Sequence, residues 1–214
     1  MTMPRGRQPR SGTPLEANRR TELLRAAARL FVEKGFAATT TRDIADAVGM
    51  RSGSPFYHFR SKQDLLKAVM IGGLESGYAR MQSAIEGIDD PAQRLRVLVR
   101  THLGNLLEGD CHAPMLLSES RSLDALARAE IALVFDHYQI PWQTTLDELA
   151  AQGKIASAAA PVRLFLFGML NWTSQWYRSD GPLTLDELTD QALVMLLGGH
   201  GVTTGQPHET SQTN

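Results

Sequence analysis

Residues 39–66 read TTTRDIADAVGMRSGSPFYHFRSKQDLL, and this stretch decides the fold. Ile44, Ala45 and Val48 recur at i, i+1 and i+4, which keeps apolar side chains on one face of a helix over about residues 41–48. Gly49 follows where the chain must turn, at a positive φ that a Cβ would oppose. A second short helix is predicted from near Ser52, carrying Ser54, Phe56, Tyr57 and His58. Pro55 fits only the first turn of a helix, so this second helix starts no earlier than about Ser52. Two short helices about a glycine turn are the outline of a helix-turn-helix, whose second helix enters the DNA major groove.

Charge supports that outline once it is divided along the chain. The 214 residues carry a net charge of −1, but residues 1–63 hold 12 Lys and Arg against 5 Asp and Glu. The first part is therefore at +7 and the remainder at −8. Seven of the twelve cations (Arg25, Arg29, Lys34, Arg42, Arg51, Arg60, Lys62) lie within residues 25–62, inside the expected folded module. Such asymmetry points to a nucleic-acid-facing N-terminal part on an acidic body.

The rest of the composition sets limits. A hydrophobic content of 43% supports a core, and the single cysteine, Cys111, excludes an internal disulfide. The N-terminal residues are basic and polar, without the apolar run of a secretory signal. The longest apolar run, residues 164–170, falls far short of the ~20 residues that cross a bilayer. The expectation is a cytoplasmic protein with no membrane partner. CxxC, HExxH and glycine-rich phosphate loops are missing from the sequence, and the adjacency of Cys111 and His112 does not make a nucleophile and base. No catalytic residue, cofactor or metal is expected.

The chain reads as all-α, with about nine helices, no strand pattern and no internal repeat. Residues 1–14 form a basic arm expected to be disordered, 15–63 the helix-turn-helix module, 64–199 a helical body and 200–214 a polar tail. Arg5, Arg7 and Arg10 of the arm suit a minor groove or simple solubilisation. In the first helix Leu23, Leu24, Ala27, Leu30 and Phe31 make one stripe, and Lys34-Gly35 is a stop signal. Ser61 and Asp64 read as a capping box one methylene short of the preferred glutamate. Gly72, Gly73 and Gly77 weaken the following helix by roughly 1 kcal/mol each, for softness or for close packing. Pro114 is expected to open a short segment through Leu117. Further helices are expected from Pro91 to Gly109, from Ser122 towards Gln139, over 142–153 beyond a kink at Pro141, from Pro161 to Tyr177, and from Thr184 to Gly198. Thr184 and Glu187 form a capping box, and Leu185, Leu188, Ala192, Met195 and Leu196 give that last stripe.

DNA binding requires phosphate contacts for affinity and base-edge contacts for specificity. Thr40, Thr41 and Arg42 present hydroxyls, N–H groups and a charge to phosphate, while Tyr57, His58 and Lys62 flank the other side of the recognition helix. Arg51 and Ser52 are the base-reading candidates, and Gly53 and Ser54 permit close approach. Phe56 and Phe59 read as core. One recognition helix reads too few base pairs, which a two-fold dimer on a palindromic operator remedies. The last two helices are the expected homodimer interface, because residues 164–172 (LFLFGMLNW) are apolar on almost all sides.

The set Ile44, Ala45, Gly49, Gly53, Ser54, Tyr57, Phe59, Lys62 and Leu65 resembles the signature of the tetracycline-repressor (TetR) family. The resemblance covers about residues 19–70, with Pro55 as a departure from the family's usual aliphatic residue. It implies that Tyr57 and Lys62 grip the DNA backbone. It also implies a helical body whose ligand alters the spacing of two recognition helices. Polar handles on otherwise apolar stretches are the effector-binding candidates: His102, Ser118, Arg121, Asn171, Trp172 and Trp176, with Glu119 beside them. The stretch LLSESRSLD and the NWxxxWY pattern resemble a branch of the family that often answers to acyl-CoA thioesters, for which Arg121, Arg163 and Arg178 are candidate phosphate partners. Trp172 and Trp176 equally suit core packing, and Arg178 a solvated helix end. The reading is a ligand-responsive transcriptional regulator, most often a repressor, released from double-stranded DNA by a small apolar or acyl-CoA effector. The alternatives are a ligand-independent or activating DNA-binding protein, or a helical enzyme.

Overall fold

The computed structural model describes residues 14–50, 59–108 and 118–198, with only the backbone of 14–17. Among the described residues there are seven α-helices and two short 3-10 turns. They are α1 (Pro14–Lys34), α2 (Thr41–Ala47), α3 (Lys62–Ile85), α4 (Pro91–Leu107), α5 (Ala125–Ala151), α6 (Ala160–Trp172) and α7 (Leu185–Leu197). The expected recognition helix and the segment at Pro114–Leu117 lie outside the described residues.

Two compact units are drawn from the chain, the first from residues 1–74 and 110–134, the second from 75–109 and 135–214. Packing, and not chain order, sets this division. It cuts α3 after Leu74 and α5 after Val134, and it assigns 110–134 to the first unit.

In the first unit α1 packs on α2. Leu23, Ala27, Leu30 and Phe31 of the α1 stripe are buried as expected, with Leu24 partly so. Ile44, Phe59, Leu65, Leu66, Val69 and Met70 complete that core, joined by Leu123 and Ala127. Phe59 is thus a core residue, with the Arg20 guanidinium 5.1 Å above its ring. Truncating Leu23 or Leu66, both fully buried, would cost about 2–5 kcal/mol through lost contacts and a cavity.

In the second unit α4 packs against α6 and α7. Leu95, Leu98, Val99, His102, Leu103 and Leu106 line the buried face of α4, and Leu185, Leu188, Thr189, Ala192 and Leu193 that of α7. Arg96 and Arg100 reach Asp186 and Asp190 across the α4–α7 seam, at 2.8–3.6 Å. These exposed pairs set orientation more than stability. Met195, expected in the α7 stripe, is 71% exposed instead.

Three boundaries depart from the sequence reading. Pro141 does not divide α5, which runs unbroken through it, and this accounts for one helix of the expected excess. Proline removes one N–H from the ladder, yet Pro141 and Trp142 are both buried here and Thr145 Oγ1 donates to the Pro141 carbonyl at 2.8 Å. Tertiary packing outweighs the local signal. α6 ends at Trp172 and tightens into a 3-10 turn, Thr173–Gln175, because Thr173 Oγ1 and Ser174 Oγ capture the Leu170 and Asn171 carbonyls. α4 ends at Leu107, two residues before Gly109.

Candidate functional site

The DNA-facing end is built on the turn between α1 and α2. Gly35 leaves α1 at φ +81°, and its N–H donates to the Phe31 carbonyl at 3.0 Å. Thr39, fully buried, donates its hydroxyl to the Gly35 carbonyl at 2.8 Å and lies 3.1 Å from the Leu30 carbonyl. Thr40 then caps α2. Its hydroxyl accepts from Asp43 N–H at 3.1 Å, while Asp43 Oδ2 accepts from Thr40 N–H at 2.8 Å. Aspartate therefore closes this box despite its short side chain. At the start of α3 Asp64 N–H donates to Ser61 Oγ, and the Ser61 hydroxyl donates to Asp64 Oδ2, each at 3.0 Å. Hydrogen bonds from Thr40, with Lys34 3.5 Å away, hold the Asp43 carboxyl below the usual carboxylate range.

These bonds occupy the Thr40 hydroxyl within the cap and leave Arg42 as the outward group, its side chain 80% exposed. α2 ends at Ala47 with Val48 as its C-cap, Gly49 turns at φ +65°, and Met50 N–H returns to the Ala45 carbonyl at 2.9 Å. Arg51, Ser52, Gly53, Ser54, Tyr57 and His58 lie outside the described residues.

Lys62 departs from expectation. It turns inward, with Nζ 2.8 Å from the Phe36 carbonyl, 2.9 Å from that of Thr39 and 3.5 Å from that of Ala37. It also lies 4.2 Å from the Phe36 ring centroid. A lysine has three donors, and all three point at this turn. A tyrosine or lysine motif gives no hint of that, because the acceptors are backbone carbonyls more than twenty residues away.

The second unit holds a buried polar cluster around His102. Its Nδ1 is 2.9 Å from the Tyr138 hydroxyl and its Nε2 is 3.1 Å from Asn171 Oδ1. With the amide oxygen facing it, Nε2 carries the proton and Nδ1 accepts from Tyr138. Burial lowers the His102 pKa to about 4, against the opposing bond to Asn171, so the ring is neutral at pH 7. Burial also pushes the Tyr138 phenol upward. Trp142 and Phe167 meet the imidazole edge-on, with centroids 5.7 and 5.4 Å away. Trp142 is fully buried, yet its Nε1 has no partner among the described residues, and neither has Asn105 Nδ2. Each unsatisfied buried donor costs about 1–3 kcal/mol.

Of the six predicted effector residues, the structure brings only His102 and Asn171 together. Trp172 is 66% and Trp176 49% exposed, so neither fills a core or a closed pocket. Ser118 and Arg121 are exposed residues of the first unit, and the His102 cluster belongs to the second. Arg163 is engaged with Gln139 and Gln143 of α5, and Arg178 pairs with Asp180 at an exposed turn. Sequence reading missed Tyr138 and Trp142, which stand four apart on α5. A kink expected at Pro141, between the two residues, hid the shared face. An open cleft of about 650 Å³, lined by Ile85, Ile88, Ile140, Pro141 and Arg94, lies apart from these residues. Among the described residues no cluster is placed to hold a metal ion, and no helix is long and apolar enough to cross a membrane.

A capped helix and a positive-φ glycine turn are the part of a helix-turn-helix that the described residues show. Comparison with known proteins carries this to a family. Residues 23–69 match the profile of bacterial regulatory proteins of the tetR family. Residues 88–200, more than half of the chain, match the tetracyclin repressor-like C-terminal domain. The chain belongs to the TetR family of transcriptional regulators, and it is not an enzyme. It is 30% identical over 194 residues to the HTH-type transcriptional repressor KstR2 of Rhodococcus jostii (strain RHA1), covering 89% of this chain and 95% of that protein. The crystal structure of superantigen pfit is 40% identical with a TM-score of 0.71, over 83% of this chain and 88% of that one. AibR in complex with isovaleryl coenzyme A and operator DNA superposes with a TM-score of 0.77 at 26% identity, over 84% and 98% of the two chains.

Proposed function

We propose that this chain is a dimeric repressor that leaves a palindromic operator when an apolar acyl thioester occupies its C-terminal body. The observation that carries the effector reading is the His102 cluster: a neutral imidazole, a phenol and an amide set among aromatic rings, with the Trp142 N–H unpartnered. Such a site suits an uncharged carbonyl-bearing ligand, because donors are available and a buried charge would be costly. The class of ligand follows the relative AibR, whose structure holds isovaleryl coenzyme A.

Thr41 and Arg42 contact phosphate, Arg51 and Ser52 read bases, Gly53 and Ser54 allow approach, and Tyr57 and His58 flank the groove. Thr40 and Lys62 hold the turn that supports them. The dimer forms through α6 and α7. Leu164, Phe165 and Trp172 of α6 and Met195 of α7 are 58–76% exposed, an apolar set that one protomer leaves uncovered.

A labelled duplex, enriched from a randomised library by the wild-type protein, tests the reading. Binding should weaken steeply with salt and be lost on adding isovaleryl-CoA. Salt-insensitive binding would contradict the DNA assignment, and binding indifferent to a panel of acyl-CoA thioesters would contradict the effector class.

A further inference from the structure

The Phe36 peptide is held from both sides by residues distant in sequence. Its carbonyl accepts from Lys62 Nζ at 2.8 Å, and its N–H donates to Glu119 Oε1 at 3.1 Å. Glu119 is itself fixed, because Ser122 donates its hydroxyl to Oε2 at 2.7 Å. Gln63, next to Lys62, donates to the Ser122 carbonyl, and Lys67 pairs with Glu130 at 2.9 Å. The start of α3 and the residues leading into α5 are thereby joined around the turn that ends at the α2 cap. All of these residues belong to the first unit.

We propose that Glu119 is a positioning residue for DNA binding, holding the Phe36 N–H so that the 35–40 turn presents Thr41 and Arg42 to phosphate. The inference rests on the DNA-contact assignment above for Thr41 and Arg42. Thr39 donates to the Gly35 and Leu30 carbonyls, Lys62 to those of Phe36, Ala37 and Thr39, and Glu119 accepts from the Phe36 N–H. A carboxylate is suited to it, since a charged acceptor makes the stronger bond to a backbone N–H.

The test separates reach from charge in the full-length protein. Glu119→Ala loses the acceptor, Glu119→Asp keeps the charge but falls one methylene short, and Glu119→Gln loses the charge but keeps an oxygen at the right distance. Binding to the library-enriched duplex is measured by anisotropy across 50–200 mM KCl, beside amide hydrogen exchange at Phe36. The Ala and Asp variants should bind about 10-fold more weakly. Their slope of log K against log salt should be shallower by about 0.9, the loss of one phosphate contact. Phe36 exchange should accelerate in both. Glu119→Gln should return all three readouts towards wild type. A merely structural residue would lower the melting temperature and leave the salt slope unchanged. Should the Ala variant melt below the assay temperature, the Asp variant decides. Wild-type affinity and slope in the Asp variant, or a Gln variant as impaired as Ala, overturns the proposal while the DNA reading stands. Failure of the wild type to bind any duplex in a salt-dependent way sinks both.

Discussion

Nε2 of His102 on α4 lies 3.1 Å from Oδ1 of Asn171 on α6, joining residues 69 apart in the chain. The contact fixes the imidazole as a neutral donor on that side, and burial keeps it so, with a pKa of about 4. An unfolded histidine titrates near 6.5, so between pH 6.5 and 4 the unfolded chain binds a proton that the native state refuses.

Stability should therefore be complete from this group above about pH 6.5 and fall as the pH drops towards 4, by roughly 3 kcal/mol in total. Below that the group contributes no further slope. Asp43, Asp90 and Glu187, whose carboxyls are held low by hydrogen bonds, add their own acid losses. Comparing urea melts of wild type and His102→Gln isolates the histidine. Parallel pH profiles for the two would contradict the burial argument.

Two glycines of α3 should respond in opposite directions to alanine. A Cβ at Gly77 would stand 3.2 Å from the Tyr138 ring and 3.5 Å from Asn105 Nδ2, whereas one at Gly72 would meet nothing within 4 Å. Gly77→Ala should lose about 1–3 kcal/mol by overpacking, and Gly72→Ala should gain up to about 1 kcal/mol of helix propensity. Denaturant unfolding reads both, and a stabilised Gly77→Ala would refute the close packing.

Lys62→Met keeps the side-chain stem and removes the ammonium from its three carbonyls. It should cost about 1.5–3 kcal/mol of stability, the worth of hydrogen bonds to a charged group. Were Lys62 a free phosphate contact, the melt would stay within about 0.5 kcal/mol of wild type, as for other surface changes.

Phe165→Glu addresses the dimer. Phe165 is 76% exposed within one protomer, so the substitution should leave the monomer fold intact and convert a sedimenting dimer to a monomer. A wild-type monomer, or a dimer indifferent to the glutamate, would remove α6 from the interface.

Signals confined to a few residues were legible without coordinates. Gly35, Gly49 and Gly198 all take the left-handed conformation expected of turn or terminating glycines, and Thr184 with Glu187 forms the predicted capping box. The buried faces of α1 and α4 followed from their periodicity. What failed depended on distant partners. Pro141 sits in a helix because burial around it outweighs a missing N–H, and Lys62 turns inward because carbonyls from another turn await it. The His102 cluster was half visible. His102 and Asn171 stood out as polar residues on apolar helices, but Tyr138 and Trp142 resembled ordinary core residues until α5 proved continuous.

Ligand bound in the helical body should govern DNA binding, and one titration addresses this. Isovaleryl-CoA is added to the wild-type complex with its enriched duplex, and to the same complex formed by Asn171→Ala. The wild type should be released and the variant retained, with equal DNA affinity before the thioester is added. Release of both at the same concentration would show that the His102 cluster does not hold the effector.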